Sequence, residues 1–377
     1  MKNEAVISKK VYLKTFGCQM NVRDSEAISG LLLKGGFKLV EKPEHADAVI
    51  LNTCSVRQHA EEVVWSELGV HKNGKVVGLV GCMAQNYKEQ VFQRAPNVDF
   101  VVGPADIAKI PRILKDLFKD RGILERKIWE TDGLNRPENI YHTGYYKDKS
   151  HAYIVISEGC SNFCSYCVVP YVRGPERHRA YSDIIKESKQ ALASGITKIT
   201  LLGQNVNSFK SGGVDFKKLL ESLNSLKGLK RLSFLTSHPK DTDRKLFEAM
   251  AVLDKLDKWL HLPLQSGSDK ILKAMNRGYT RKYFLDLARE YRKIVKGGTL
   301  TTDLIVGFPG ETEEDFRKTY EVLKKVKFDA AYLFKYSPRP NTSANSMTDD
   351  VPLKEKERRH RLILNLQRSL AKKNVKS

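Results

Sequence analysis

Short apolar runs alternate with stretches of helical period along most of this chain. In the first third, residues 11–17, 48–52, 75–80 and 98–102 read as strands. Residues 25–33, 58–68, a stretch from 84 onward, and 107–118 read as the intervening helices. Strand–helix alternation at this spacing predicts a doubly wound parallel sheet. The alternation lapses over 119–150, which reads as a surface connector whose Arg136, Tyr141, Tyr145 and Tyr146 suit nucleic acid. It resumes at His151, with strands expected at 152–157, 198–202, 231–235, 259–262, 300–306 and 330–334. Helices are expected between them at 182–193, 216–226, 244–252, 268–275, 281–295 and 313–326. Six βα units predict an open (β/α)6 partial TIM barrel, with function at the carboxyl ends of its strands. A basic amphipathic helix over 353–373, with Leu362, Ile363, Leu366 and Leu370 on one face, is expected to pack onto that barrel. The fold class is therefore α/β: a doubly wound domain over 10–120, a connector over 121–150, and a barrel with its final helix over 151–377.

Composition narrows the setting. At 377 residues, 41% hydrophobic and 29% charged, the chain is an ordinary globular protein of two or three domains. No N-terminal apolar run suits a signal peptide, and no stretch approaches the ~20 apolar residues of a membrane span. A cytoplasmic protein with no membrane partner is expected. In that compartment clustered cysteines point to metal or redox chemistry rather than disulfides. The excess of 65 basic over 44 acidic residues, a net charge of +21, favours a polyanionic partner. Charge alone does not choose among RNA, DNA and a membrane surface.

All six cysteines fall in two groups of three. Cys160, Cys164 and Cys167 share one loop at C-x3-C-x2-C spacing, compact enough for three thiolates to meet on one inorganic object. A [4Fe–4S] cluster takes four ligands, so three cysteines leave one iron open for a small molecule. This is the layout of a radical S-adenosylmethionine (SAM) enzyme, whose open iron chelates SAM and whose electron cleaves it. Zinc prefers a closed set of four ligands, and neither His151 nor His178 completes one. Cys18, Cys54 and Cys82 each lie just past a predicted strand. In a parallel sheet those ends share one edge, where such folds bind ligands. Gly17 and Gly81 beside them admit a bulky group, and the count of three again leaves an open iron. Three separate buried cysteines are the plain alternative. Asn21, Asn52, Gln85 and Arg57 lie close enough in sequence to line the same pocket, Asn21 and Asn52 serving equally well as turn or capping residues.

The predicted barrel strands end in polar and glycine-rich loops that would ring the open iron. Candidates for SAM contacts are Tyr166, Gly203, Gln204, Ser237, Gln265 and Asp303, the last inside an apolar strand and so in need of a partner. His238 reads either as a ligand or base, or as a hydrogen-bonded structural residue. Arg173, Arg177 and Arg179 crowd positive charge next to the cysteine loop and are candidate phosphate contacts, with local salt bridges as the alternative.

These residues together resemble the methylthiotransferases, radical SAM enzymes that attach a methylthio group to an unactivated carbon. The resemblance runs from about Lys10 to the end of the chain, with six cysteines in register. The stretches Asn52-Thr-Cys-Ser-Val-Arg57 and Val168-Val-Pro-Tyr…Arg173-Gly-Pro-Glu-Arg177 look most like the MiaB-type tRNA branch. The resemblance implies methylthiolation at C2 of N6-isopentenyladenosine, position 37 of tRNA. It implies two SAM molecules and two [4Fe–4S] clusters: Cys160, Cys164 and Cys167 hold the SAM-cleaving one, and Cys18, Cys54 and Cys82 hold an auxiliary one that carries the sulfur. An electron donor such as flavodoxin or ferredoxin and a monomeric state are also expected. The family usually continues into a small C-terminal RNA-binding (TRAM) domain, expected here to be missing, and Asn341 stands where relatives often have glycine. Relatives acting on threonylcarbamoyl-adenosine of tRNA or on a ribosomal-protein aspartate are the nearest alternatives. An iron–sulfur RNA-binding or sulfur-carrier protein without radical chemistry is the alternative of another class.

Overall fold

The computed structural model describes residues 8–55, 58–71, 74–119, 127–133 and 136–374. They form two compact units, one of Met1–Lys149 with Tyr171–Gly174, the other of Ser150–Pro170 with Pro175–Ser377. The first runs β1 (Lys10–Thr15), α1 (Gln19–Lys34), β2 (Lys38–Val40), β3 (Ala48–Thr53), α2 (Gln58–Val70), β4 (Val76–Gly81), α3 (Cys82–Tyr87), α4 (Gln90–Arg94), β5 (Phe100–Val102), α5 (Ile110–Lys119) and β6 (Ile128–Glu130). Its six strands are all parallel, in the order β2-β1-β3-β4-β5-β6. Both β3 and β4 are buried along their whole length, so they read as unbroken apolar runs rather than alternating ones. The order reverses between β1 and β3, the place where an open α/β sheet splays to admit a ligand.

Three details differ from the sequence expectation, for one common reason. Helix α1 begins at Gln19, six residues earlier than its apolar pattern, because Asn21, Arg23, Asp24, Ser25 and Glu26 are buried although polar. Those groups need partners, and the supposed connector supplies many of them. Arg23 Nη2 donates to the Tyr141 carbonyl at 2.7 Å, Lys147 N donates to Glu26 Oε1 at 2.9 Å, and Arg136 Nη1 meets Asp24 Oδ1 at 2.6 Å. Tyr141 and Tyr146 are buried, and β6 is the sixth strand of the sheet. The described part of 127–149 is thus integral to the first unit: Tyr141, Tyr146 and the Arg136 side chain are spent inside it, whereas Tyr145 is half-buried. Residues 120–126, 134 and 135 of that stretch lie outside the described residues, as does Arg57.

The second unit runs β7 (His151–Val155), β8 (Ser157–Glu158), α6 (Val169–Arg173, whose last residues pack in the first unit), β9 (Arg177–His178), α7 (Tyr181–Ala193), β10 (Lys198–Leu202), β11 (Lys210–Ser211), β12 (Val214–Asp215), α8 (Phe216–Asn224), β13 (Arg231–Phe234), α9 (Arg244–Val252), β14 (Trp259–His261), α10 (Asp269–Ala274), α11 (Arg281–Ile294), β15 (Thr299–Val306), α12 (Glu313–Val326), β16 (Ala330–Lys335) and α13 (Leu353–Asn374). Parallel sheets β13-β10-β7 and β14-β15-β16 are joined by a bridge from Leu232 to Leu256, giving the six-stranded open arc of a partial barrel. One face of the strands is apolar and buried, including Ile154, Leu201, Phe234, Leu260 and Leu304. The other carries hydrogen-bonded polar side chains in register. His151 Nε2 lies 2.8 Å from Thr200 Oγ1, which lies 2.6 Å from Ser233 Oγ, and His261 Nδ1 lies 3.0 Å from Thr301 Oγ1.

Helix α13 packs on the barrel through a stripe that keeps Ile363 and Leu370 of the expected face and adds polar residues to it. Lys356, Arg359, Ile363, Gln367 and Leu370 are buried, whereas Leu362 is exposed. Arg359 Nη1 reaches Glu311 Oε1 at 2.8 Å, and Lys356 Nζ reaches Asp349 at 2.7 Å, so part of the helix's charge is neutralised locally. Asn341 has φ +67°, the left-handed region that glycine favours and asparagine tolerates. No described helix is long and apolar enough to cross a membrane.

Candidate active site

In the first unit, three strand ends bring Cys18, Cys54 and Cys82 together at the sheet's switch point. Cys18 follows β1 and is the N-cap of α1, Cys54 follows β3, and Cys82 opens α3. Gly17 (φ +113°) lies so close that a Cβ there would sit 2.2 Å from Cys54 Cβ. Asn21 and Asn52 are both fully buried and act as struts between the ends. Asn21 Nδ2 donates to the Thr53 carbonyl at 2.9 Å, and Asn52 Nδ2 donates to the Asn21 carbonyl at 2.9 Å. Gln85 is tied to the Thr131 carbonyl at 2.7 Å. The hydrogen bond with Cys54 draws the Cys18 thiol down to about 6, helped by the Arg173 charge and by amides of the first turn of α1. Burial pushes the Cys82 thiol up, while Arg173 pulls against it. Arg173 is itself buried, with Nη2 at 2.7 Å from Asp24 Oδ2, and Arg136 holds the other oxygen of Asp24 at 2.6 Å.

In the second unit, Cys160, Cys164 and Cys167 lie in one loop pinned from below. Ser165 N donates to the Met275 carbonyl at 3.1 Å, Ser165 Oγ to the Ala274 carbonyl at 2.8 Å, and Asn276 Nδ2 to the Phe163 carbonyl at 3.0 Å. Burial pushes the Cys167 thiol up to about 12, and the neighbouring Cys164 adds to it. Burial and Cys164 likewise raise Cys160. Arg277, buried, places Nη1 3.3 Å from Cys164 Sγ and 3.3 Å from the Tyr166 hydroxyl.

At the carboxyl ends of the barrel strands, several buried polar atoms lack a protein partner: Gln204 Oε1, Ser237 Oγ, His238 Nε2 and Gln265 Oε1. Thr236 (φ +67°) and Gln265 (φ +69°) hold left-handed backbone there, a strain that clusters at binding sites. His238 Nδ1 accepts from Lys240 N at 3.2 Å, which places the proton of the neutral ring on Nε2. Burial, then the charges of Arg277 and Lys240, drive the His238 pKa down to about 2, so the ring stays neutral.

The sequence matches the description "Uncharacterized protein family UPF0004" over residues 10–103 and the "Radical SAM superfamily" over residues 154–323. A protein of Carboxydothermus hydrogenoformans named tRNA-2-methylthio-N(6)-dimethylallyladenosine synthase is 42% identical over 96% of this chain and 84% of its own length. One of the same name from Solibacter usitatus is 42% identical over 97% of this chain and 83% of its own. The chain belongs to that synthase family. Among solved structures, the radical SAM methyltransferase TsrM of Kitasatospora setae, with a SAM analog bound, superposes at TM-score 0.64 and 14% identity, covering 90% of this chain and 75% of that one. The cobalamin-dependent radical SAM enzyme OxsB gives 0.55 at 13% identity, over 97% of this chain and 56% of that one. At these identities the likeness concerns the fold.

Within this family's frame, several expected site residues are placed elsewhere than expected. Arg173 and Arg179, expected as phosphate contacts, are instead buried in ion pairs: Arg173 Nη2 with Asp24, and Arg179 Nη1 at 2.6 Å from Glu187 Oε2 and 2.7 Å from the Val155 carbonyl. Arg177 is partly exposed and 3.8 Å from Glu158. Asp303 already has a protein partner, His261 Nε2 at 3.2 Å, so no SAM group is needed to satisfy it. Gly203 serves packing, since a Cβ there would meet Ser157 Oγ at 2.3 Å. Tyr166 gives its hydroxyl to the Arg277 contact. Gln204, Ser237 and Gln265 keep open polar atoms at the strand ends. Arg277 and Asp24 were not legible as site residues. The only sequence signal was the turn Met275-Asn-Arg-Gly278 after α10, where Asn276 and Gly278 both have positive φ.

Proposed function

We propose that this protein methylthiolates C2 of N6-isopentenyladenosine at position 37 of tRNA. The observation that carries the reading is the pair of three-thiol sites on a chain 42% identical, over nearly its full length, to synthases of that name. In each site the thiols stand close enough to shift one another's pKa, and each contains a buried arginine within reach of a ligand sulfur. Three neighbouring thiols, of which one is held near 12, suit a metal centre that takes their protons rather than a proton-exchanging role. Cys160, Cys164 and Cys167 would hold one [4Fe–4S] cluster, and Cys18, Cys54 and Cys82 the other. When bound, the first supplies the electron that cleaves SAM to a hydrogen-abstracting radical, and the second supplies the sulfur.

The chain's own residues do the rest. Gln204, Ser237, Gln265 and His238 offer the unpaired polar atoms that receive SAM, with His238 a fixed neutral donor at Nε2. Strained backbone at Thr236 and Gln265 aims these groups. Arg177 and the chain's +21 charge serve the tRNA phosphates. The protein works in the cytoplasm as a monomer, with an external one-electron donor such as flavodoxin or ferredoxin.

Anaerobic reconstitution tests this. About eight irons per chain (four per cluster), deoxyadenosine release, and methylthio-modified adenosine in isopentenylated tRNA are the expected result. About four irons without SAM cleavage would overturn it. SAM cleavage with no product on this tRNA would move the substrate to another of the family's acceptors.

A further inference from the structure

The second unit buries a cation that has no carboxylate. Arg277 is 4% exposed. Its Nη2 donates to the Pro263 carbonyl at 3.0 Å, its Nε lies 3.0 Å from the Tyr279 hydroxyl, and its Nη1 is shared between Cys164 Sγ and the Tyr166 hydroxyl at 3.3 Å each. Tyr279 in turn donates to the Leu264 carbonyl at 2.8 Å, so the fork is held on three sides. Among the described residues no carboxylate pairs with Arg277, in contrast to Arg173, Arg136, Arg179 and Arg359, each of which is bonded to an Asp or Glu. A buried charge without a counter-ion is strongly unfavourable. An anionic group in the working protein would offset it, and the sulfur in its reach, Cys164 Sγ, belongs to the cysteine loop.

We propose that Arg277 is the counter-ion of the Cys160–Cys164–Cys167 thiolates and raises the reduction potential of the cluster they hold. The proposal rests on the cluster reading given above. Three thiolates around a [4Fe–4S]2+ core carry a net charge of −1, and one electron takes it to −2, with no proton moved. The electron comes from the external reductant. A fixed positive charge with an N–H pointed at a ligand sulfur stabilises the more negative state, and hydrogen bonds to sulfur are a known lever on such potentials. Arg277 is therefore a positioning and tuning residue that acts through Cys164.

The test uses the full chain with Cys18, Cys54 and Cys82 changed to Ala, so that one cluster reports. Arg277→Lys and Arg277→Met are made in that background and reconstituted anaerobically. Iron and sulfide are counted, SAM affinity is measured, and the cluster is titrated with dithionite while its paramagnetic reduced form is followed by electron paramagnetic resonance. The expected result is about four irons in the parent and in Arg277→Lys. Arg277→Met should titrate at a more negative potential, with Arg277→Lys between it and the parent. Loss of iron in Arg277→Met but not in Arg277→Lys also supports a charge role. An unchanged potential in Arg277→Met overturns the proposal, and if SAM affinity falls in that case the guanidinium serves the SAM carboxylate instead. Equal loss of iron in both variants overturns it too, leaving Arg277 a packing residue. If the parent itself binds no cluster, the cluster reading falls, and this proposal with it.

Discussion

The two cysteine trios are built in opposite ways. Cys160, Cys164 and Cys167 come from eight consecutive residues, and their loop is fixed by hydrogen bonds from the turn after α10. Cys18, Cys54 and Cys82 come from three strand ends spread over 65 residues, and only the parallel order of β1, β3 and β4 makes them neighbours. Their electrostatics also differ. Cys18 sits at the start of a sixteen-residue helix, donated to by Cys54 and facing Arg173, and is drawn to about 6, whereas Cys167, half-buried, is driven up to about 12 by desolvation and by the adjacent Cys164 and Cys160. The local trio thus depends on its ligand to become charged, while the distributed trio has one thiolate prepared by the fold.

The largest effects should separate the two sites by function. Changing any one of Cys160, Cys164 or Cys167 to Ala should abolish deoxyadenosine formation. Changing any one of Cys18, Cys54 or Cys82 should abolish methylthio transfer and lower iron from about eight to about four per chain, with SAM cleavage retained. Product analysis alongside iron counting decides this, and loss of SAM cleavage in both sets would erase the distinction.

Next in size is the support under the distributed trio. Asp24→Asn removes the shared counter-charge of two buried arginines and should cost about 3–5 kcal/mol in urea unfolding. The same pair sets a pH dependence. Burial acts to raise the Asp24 pKa, but Arg136 and Arg173 outweigh it and hold the carboxyl below its usual value. Its contribution is therefore full above the unfolded pKa of about 3.9 and is lost as pH falls through the lower folded value. Asp24→Asn should flatten the acid limb of the stability profile. Gly17→Ala, strained at φ +113° and colliding with Cys54, should cost about 1–3 kcal/mol and lower iron in the first unit alone.

A chemical probe sharpens the electrostatic half of the comparison. In the metal-free protein, iodoacetamide labelling followed by peptide mass analysis should modify Cys18 with a midpoint near pH 6, and Cys167 only at strongly alkaline pH. Equal midpoints would show that the fold does not distinguish the sites. The smallest effect concerns RNA. Arg177→Ala should weaken tRNA binding slightly and reduce the salt slope by about one unit, while Arg179→Ala should destabilise the second unit and leave that slope unchanged.

How far the sequence could be read follows the same division. The spacing of Cys160, Cys164 and Cys167 is a local property, so it was legible without any fold. The strand-end placement of Cys18, Cys54 and Cys82 was legible because parallel sheets gather their carboxyl ends, and β3 and β4 are long enough to show as apolar runs. What stayed hidden was polar and buried. The first turn of α1 was missed because Asn21, Arg23 and Asp24 carry no apolar pattern, yet each is bonded inside the protein. Residues 127–149 looked like a linker because their role is to supply those bonds.

The arginines make the distinction plainest. In sequence, Arg173, Arg177 and Arg179 are one basic cluster beside the cysteine loop, and Arg277 is a residue in a turn. Periodicity and spacing determine which elements form, which strand ends gather and where six thiols can meet, since these depend on neighbours a few residues apart. Whether a given cation faces water, a carboxylate or a sulfur depends on groups 149 residues away for Arg173 on Asp24 and 113 for Arg277 on Cys164, brought within 3.3 Å only by packing. Because a buried charge must find its counter-charge wherever the fold puts it, that assignment belongs to the tertiary structure.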